Sequence, residues 1–157
     1  MKIQFIIINI IAILSTIGCV NQNKNNINSK NLTKSEKQQK IEKIELTERT
    51  RGNNRSIVYT PTLISATLNG DSTQTTMSLS EWENISRQAE ALNLSKISDL
   101  QSPTTGRYTD RALAATIIIT SNGVTYTSAT FDAGIPPKEL EALYNTLQKP
   151  RQKKPLK

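Results

Sequence analysis

Two runs rich in β-branched residues, 113–120 and 124–131, stand on either side of Ser121-Asn122-Gly123. No other stretch limits the fold as strongly. Asn-Gly between two such runs specifies a two-residue type I′ turn, which joins antiparallel strands. That turn sets the register, pairing Ile119 with Tyr126 and Ile117 with Ser128. Alternation then predicts one face carrying Leu113, Ala115, Ile117, Ile119, Val124 and Tyr126, turned toward helices. The other face would carry Thr116, Ile118, Thr127, Ala129 and Phe131.

The rest of the chain must supply the partners of that hairpin. Ile44 and Leu46 show a period of two, which predicts a strand over 43–50, and Gly52-Asn53-Asn54 supplies turn chemistry after it. Residues 56–68 are rich in Val, Ile, Thr and Tyr and read as a second strand, with Pro61 marking an edge or a break. Asn69-Gly70-Asp71 is a turn, and 74–79 reads as a short third strand.

Ser80 and Glu83 fit a capping box opening a helix whose apolar face is Trp82, Ile85, Ala89 and Leu92. Trp82 on that face is expected in the core. A second helix follows Pro136-Pro137, with the stripe Leu140, Leu143, Tyr144 and Leu147, and Pro150 ends it. The order β-β-(β)-α-β-β-α implies an α+β fold, a small antiparallel sheet of four or five strands with two helices on one face.

The first residues are of a different kind. Lys2 precedes an apolar run from Ile3 to Leu14, and Ser15-Thr16-Ile17-Gly18 leads into Cys19, the one cysteine of the chain. This is the pattern of an export signal, and Gly18-Cys19 resembles the lipobox of bacterial lipoproteins, with Thr16 standing where Leu is usual. The resemblance implies cleavage before Cys19 and acylation of its thiol and freed amine. Each buried methylene of such chains strengthens membrane attachment by about 0.8 kcal/mol. An uncleaved anchor is the alternative, but a spanning helix needs roughly 20 apolar residues.

The chain therefore divides into a signal peptide at 1–18, a lipidated tether at 19–40, a globular domain at 41–149 and a basic tail at 150–157. The tether is dominated by Asn, Lys, Gln and Ser, too polar to offset its own ordering entropy. It reads as a solvated spacer in preference to a polybasic strip on anionic lipid. The expected location is the cell membrane or outer membrane, with the domain facing the periplasm.

Charge separates the parts further. Residues 19–55 hold nine Lys/Arg and four Glu, residues 56–148 hold five against nine acids, and residues 149–157 hold five and no acid. A mildly acidic centre between basic ends argues against nucleic acid as a partner. Envelope proteins or cell-wall polymers are the expected partners, with membrane lipid held through acylated Cys19.

The absence of His and the single Cys exclude Cys/His and Ser/His/Asp catalysis, zinc sites built on imidazole or several thiolates, and an intrachain disulfide. No cofactor is expected. Asp110 and Asp132 flank the hairpin and, with Asp99, would form a carboxylate cluster if they converged. The plainer reading pairs Asp110 with Arg107 or Arg111 and has Asp132 brace the turn into the last helix. The segment from Asn93 to Asp110 is long for a connection, and such loops are functional or pinned by their own contacts. Within it Pro103, Thr104, Arg107 and Tyr108, with Asp110 and Asp132 beside them, form the candidate binding surface, because Arg and Tyr are favoured at interfaces.

Trp82, Ser102-Pro103-Thr104, Arg107, Asp110, Tyr126 with Ser128, Phe131-Asp132, Gly134 and Pro136-Pro137 together resemble small lipoproteins of the Bacteroidota. That resemblance carries no activity. Phe131-Asp132 followed by Pro and a Leu-rich helix is also similar to emfourin-type inhibitors of thermolysin-like proteases, which implies inhibition as an alternative. The expected function is a non-catalytic, membrane-anchored binding domain; a protease inhibitor or a carboxylate enzyme are the rivals.

Overall fold

The structure is a computed structural model that describes residues 40–149. The signal, Cys19 and the tether up to residue 39, and Pro150 with the basic tail, lie outside the described residues. Seven strands form one antiparallel sheet: β1 (Ile41–Thr50), β2 (Asn53–Tyr59), β3 (Leu63–Leu68), β4 (Asp71–Thr76), β5 (Ala114–Ser121), β6 (Val124–Thr127) and β7 (Phe131–Asp132). Their order is β4-β3-β2-β1-β5-β6, and β7 pairs with the start of β5. Two helices, α1 (Leu79–Glu90) and α2 (Glu141–Gln148), complete the α+β architecture. None of the described helices is long and apolar enough to cross a membrane.

The core lies on one face of the sheet. Ile44 and Leu46 of β1, Ile57 and Tyr59 of β2, Ile64 of β3 and Ala115, Ile117 and Ile119 of β5 are buried there. They meet Trp82, Ile85 and Ala89 of α1 and Leu143, Tyr144 and Leu147 of α2. Each fully buried Ile or Leu stabilises the fold by about 1.5–3 kcal/mol. The helices are tied to each other as well, since Gln88 Nε2 donates to Thr146 Oγ1 at 3.0 Å. Tyr59 OH donates to the Leu147 carbonyl at 2.6 Å, which fixes the end of α2 to the sheet.

The central hairpin has the expected register, with Ile119 opposite Tyr126. Asn122 and Gly123 have φ of 50° and 76°, as a type I′ turn requires. Val124 shares the face of its partner Ser121 but sits at the tip of the hairpin and is exposed.

Phe131 departs from the expected alternation. It is fully buried on the helix face, opposite Ala115. Ile117 faces Ser128, while Ala115 faces Phe131, so the second strand carries one extra residue between these levels. Ser128 N–H donates to the Ile117 carbonyl at 2.9 Å, but the Ile117 N–H donates to Ser128 Oγ instead of to backbone. This is a β-bulge, and one inserted residue exchanges the two faces of everything after it.

The remaining differences are local. The region from Ser56 to Leu68 is two strands, because Pro61 lies in a turn closed by Thr60 N–H donating to the Leu63 carbonyl at 2.9 Å. β4 begins directly after Asn69-Gly70, earlier than expected. With these divisions the sheet has more strands than four or five. α1 is capped by Ser78, with Glu81 completing the capping box, and not by Ser80 and Glu83.

Candidate functional site

Two 3-10 turns, Leu94–Asp99 and Gly106–Thr109, follow α1, and the chain between them has no regular structure. The first turn buries Leu94 and Ile97 in the core. From 101 to 111 no residue is buried. Hydrophobic packing therefore does not hold this part of the loop, and its order must come from polar contacts.

Asp132 provides them. It follows Phe131, whose ring fills the core on the helix face, so its own side chain projects to the opposite side of the sheet. There it is buried beneath the loop. Its Oδ2 accepts from Thr104 Oγ1 at 2.6 Å and from Gly106 N–H at 2.6 Å. Its Oδ1 accepts from Arg107 N–H at 3.0 Å and from Arg107 Nη1 at 3.1 Å. Burial pushes this carboxyl up, but the hydrogen bonds from the Thr104 hydroxyl, the Arg107 backbone and guanidinium and the Gly106 backbone outweigh it, bringing the pKa down to about 2.

Arg107 is the second organiser. Besides Asp132, its Nη1 donates to Ser102 Oγ at 2.9 Å and to the Thr104 carbonyl at 2.6 Å. Nη2 donates to Tyr108 OH at 2.9 Å, and the guanidinium carbon lies 4.3 Å from the centre of the Tyr108 ring. The Arg107 side chain is itself nine-tenths buried. Tyr108 is not: it is 74% exposed. The result is an aromatic ring in solvent, resting on a cation whose charge a buried carboxylate balances.

The other candidates separate from this centre. Pro103 and Asp110 are exposed at the loop surface. Asp110 ends the second turn in a left-handed conformation, φ 56°, and lies 3.7 Å from Arg51 Nε. It does not pair with Arg107 or Arg111; Arg107 is already committed to Asp132. Asp99 pairs with Lys96 at 3.6 Å. The three carboxylates therefore do not converge, and among the described residues no group of three His, Cys, Asp or Glu side chains is placed to hold a metal ion.

A second polar centre was not anticipated from the sequence. Glu48 of β1 is buried. Its Oε2 accepts from Arg55 Nη1 at 2.8 Å, and its Oε1 accepts from Tyr144 OH at 2.9 Å and from Gln148 Nε2. Tyr144 OH in turn accepts from Gly134 N–H at 2.7 Å, and its ring meets Phe131 edge-on at 5.4 Å. Burial pushes the Tyr144 phenol up, and the Glu48 charge adds to this, so Tyr144 remains the donor. The available signal was that Glu48 continues the period-two series of Ile44 and Leu46 onto the core face.

No protein-family model, curated protein or solved structure matches this chain.

Proposed function

We propose that the folded domain is a non-catalytic binding module, carried on a membrane by lipid at Cys19, and that the loop from Ser102 to Asp110 is its contact surface. The observation that carries this reading is the exposed Tyr108 ring held on the Arg107 guanidinium. A large aromatic that is already immobilised loses little side-chain freedom when a partner covers it. Tyr and Arg are also the side chains that most often anchor protein interfaces. A protein of the cell envelope is the partner class that such an anchor suits. The non-catalytic reading is supported by the carboxylates themselves. Both oxygens of Asp132 are occupied by two donors each, and Asp99 and Asp110 lie in separate exposed ion pairs.

A photo-reactive phenylalanine placed at position 108 in cells tests the surface. The expected result is a discrete protein adduct that is absent when the probe sits at exposed Glu83 on α1. The same adduct pattern from both positions would refute the assignment. Mass spectrometry of the mature N-terminus tests the anchor: a chain beginning at acylated Cys19 is expected, and an unmodified thiol rules it out.

A further inference from the structure

The two ends of the sheet are finished differently. At one end β6 is four residues long, the strand is bulged after it, and Ala129 N–H donates to the Ile97 carbonyl at 3.1 Å, closing the edge against the 3-10 turn. At the other end β4 has no such protection. All six of its residues, Asp-Ser-Thr-Gln-Thr-Thr, are exposed, and among the described residues it pairs only with β3. It contains no Pro, no Lys and no bulge, the devices that normally keep an edge strand from pairing.

The register shows which backbone groups are open. The Asn69-Gly70 turn is closed by the pair Leu68–Asp71, and Met77 N–H donates to the Thr62 carbonyl at 3.0 Å. Alternation in an antiparallel ladder then bonds Asp71, Thr73 and Thr75 to β3. Ser72, Gln74 and Thr76 direct their N–H and C=O groups outward.

We infer that β4 pairs with β4 of a second copy of this chain, antiparallel about a two-fold axis at Gln74. This register sets Gln74 against the partner's Gln74 and Ser72 against the partner's Thr76, so every outward backbone group is bonded. No like charges meet, because Asp71 faces the partner's Met77, and the two Asp71 carboxylates stay at opposite ends. Two exposed leucines support the same arrangement. Leu68 is 52% exposed and lies on the helix-bearing face through its pairing with Arg55, which pairs with Glu48; Leu79 is 69% exposed and begins α1, the helix that packs on that face. The two-fold brings Leu68 to the same end as the partner's Leu79, at both ends of the joined strands. Strand pairing supplies the register, and the leucines supply apolar area that six polar residues lack.

The test uses the full chain in detergent, with Cys19→Ser so that engineered thiols are the only ones. Sedimentation from about 1 µM to about 1 mM should show a monomer–dimer equilibrium. Gln74→Lys sets two ammonium groups against each other and should weaken the dimer by up to about fivefold. Gln74→Cys should cross-link on mild oxidation, because bonded antiparallel pairs have Cα atoms about 5.5 Å apart, within disulfide reach. Ser72→Cys should not, since the two copies of that position lie roughly 13 Å apart. A chain that stays monomeric throughout, a dimer that Gln74→Lys leaves unchanged, or equal cross-linking at 72 and 74 would each overturn the proposal.

Discussion

Glu48 and Asp132 are both buried carboxylates, each bonded to one arginine, and they occupy the same end of the sheet. Glu48 pairs with Ala115, which pairs with Phe131, and Asp132 is the next residue on the opposite face. Their partners differ in kind. Glu48 is bonded by side chains of β2 and α2, elements that apolar packing already holds in place. Asp132 is bonded by two backbone N–H groups and two side chains of a loop that buries no apolar side chain between 101 and 111. One carboxylate reinforces a core that exists without it. The other is the reason its loop has a shape. The same chemistry therefore has a global consequence in one place and a local one in the other.

The largest effect is expected at Glu48. Glu48→Ala leaves Arg55, Tyr144 and Gln148 without their common acceptor. Breaking a buried pair costs about 3–5 kcal/mol, and the lower end applies because Arg55 keeps some contact with water. Urea titration should show a loss of about 3 kcal/mol with the whole domain unfolding together. Tyr108 should keep its interaction with Arg107 in the folded fraction.

Asp132→Asn should act in the opposite manner. Phe131 and the core are untouched, so the midpoint of global unfolding moves less than for Glu48→Ala. The Gly106 and Arg107 amides, now facing a neutral acceptor, should exchange with solvent much faster than in the native chain. The wild-type loop has a pH dependence that the variant lacks. The Asp132 pKa is lowered from 3.8 to about 2, so the folded state favours the ionised form. The stabilisation is complete above about pH 4 and is lost as the pH falls toward 2. Amide protection at 106 and 107 should fall across that window in the native chain and stay flat in Asp132→Asn. A loop equally protected in both proteins would show that Asp132 is not its clamp.

The same contrast explains what the sequence discloses. The sheet and helices were legible because their side chains alternate at two or at 3.6 residues, and packing on one face enforces those periods. The cap of α1 is ambiguous in the sequence because two boxes overlap, Ser78 with Glu81 and Ser80 with Glu83. Met77 and Trp82 decide between them. With Ser78 as cap they are the residue before it and the fourth of the helix, and both are buried as a hydrophobic staple. Phe131 lies on the face opposite to the one alternation predicts, and nothing local marks the bulge at Ser128, where the side chain accepts from the Ile117 N–H. The loop was recognisable by composition, since Pro103, Thr104, Arg107 and Tyr108 are the residues that define it. Asp132 is placed beside the loop by the sequence, but its role as the hub is not legible there, because its bonds to Thr104 and Gly106 span 28 and 26 positions. No periodic pattern encodes a contact of that range.

The smallest effect separates the clamp from the loop's own preference. A Cβ at Gly106 would stand 3.0 Å from Asp132 Oδ2 and 3.4 Å from the Ala112 Cβ. That oxygen also accepts from Gly106 N–H and Thr104 Oγ1, so it cannot retreat without lengthening both bonds. Gly106→Ala keeps the carboxylate, its charge and the Arg107 pair, and only crowds the oxygen. Alanine also restricts the unfolded chain more than glycine does, which offsets part of the cost. Faster exchange at 106 than at 107 is therefore expected, with a smaller change than Asp132→Asn and little change in global stability. Exchange raised equally at both amides would mean that the loop moves as one body and that the Oδ2 contacts have no separate role. A rise confined to 106 would locate the tightest part of the clamp at that oxygen.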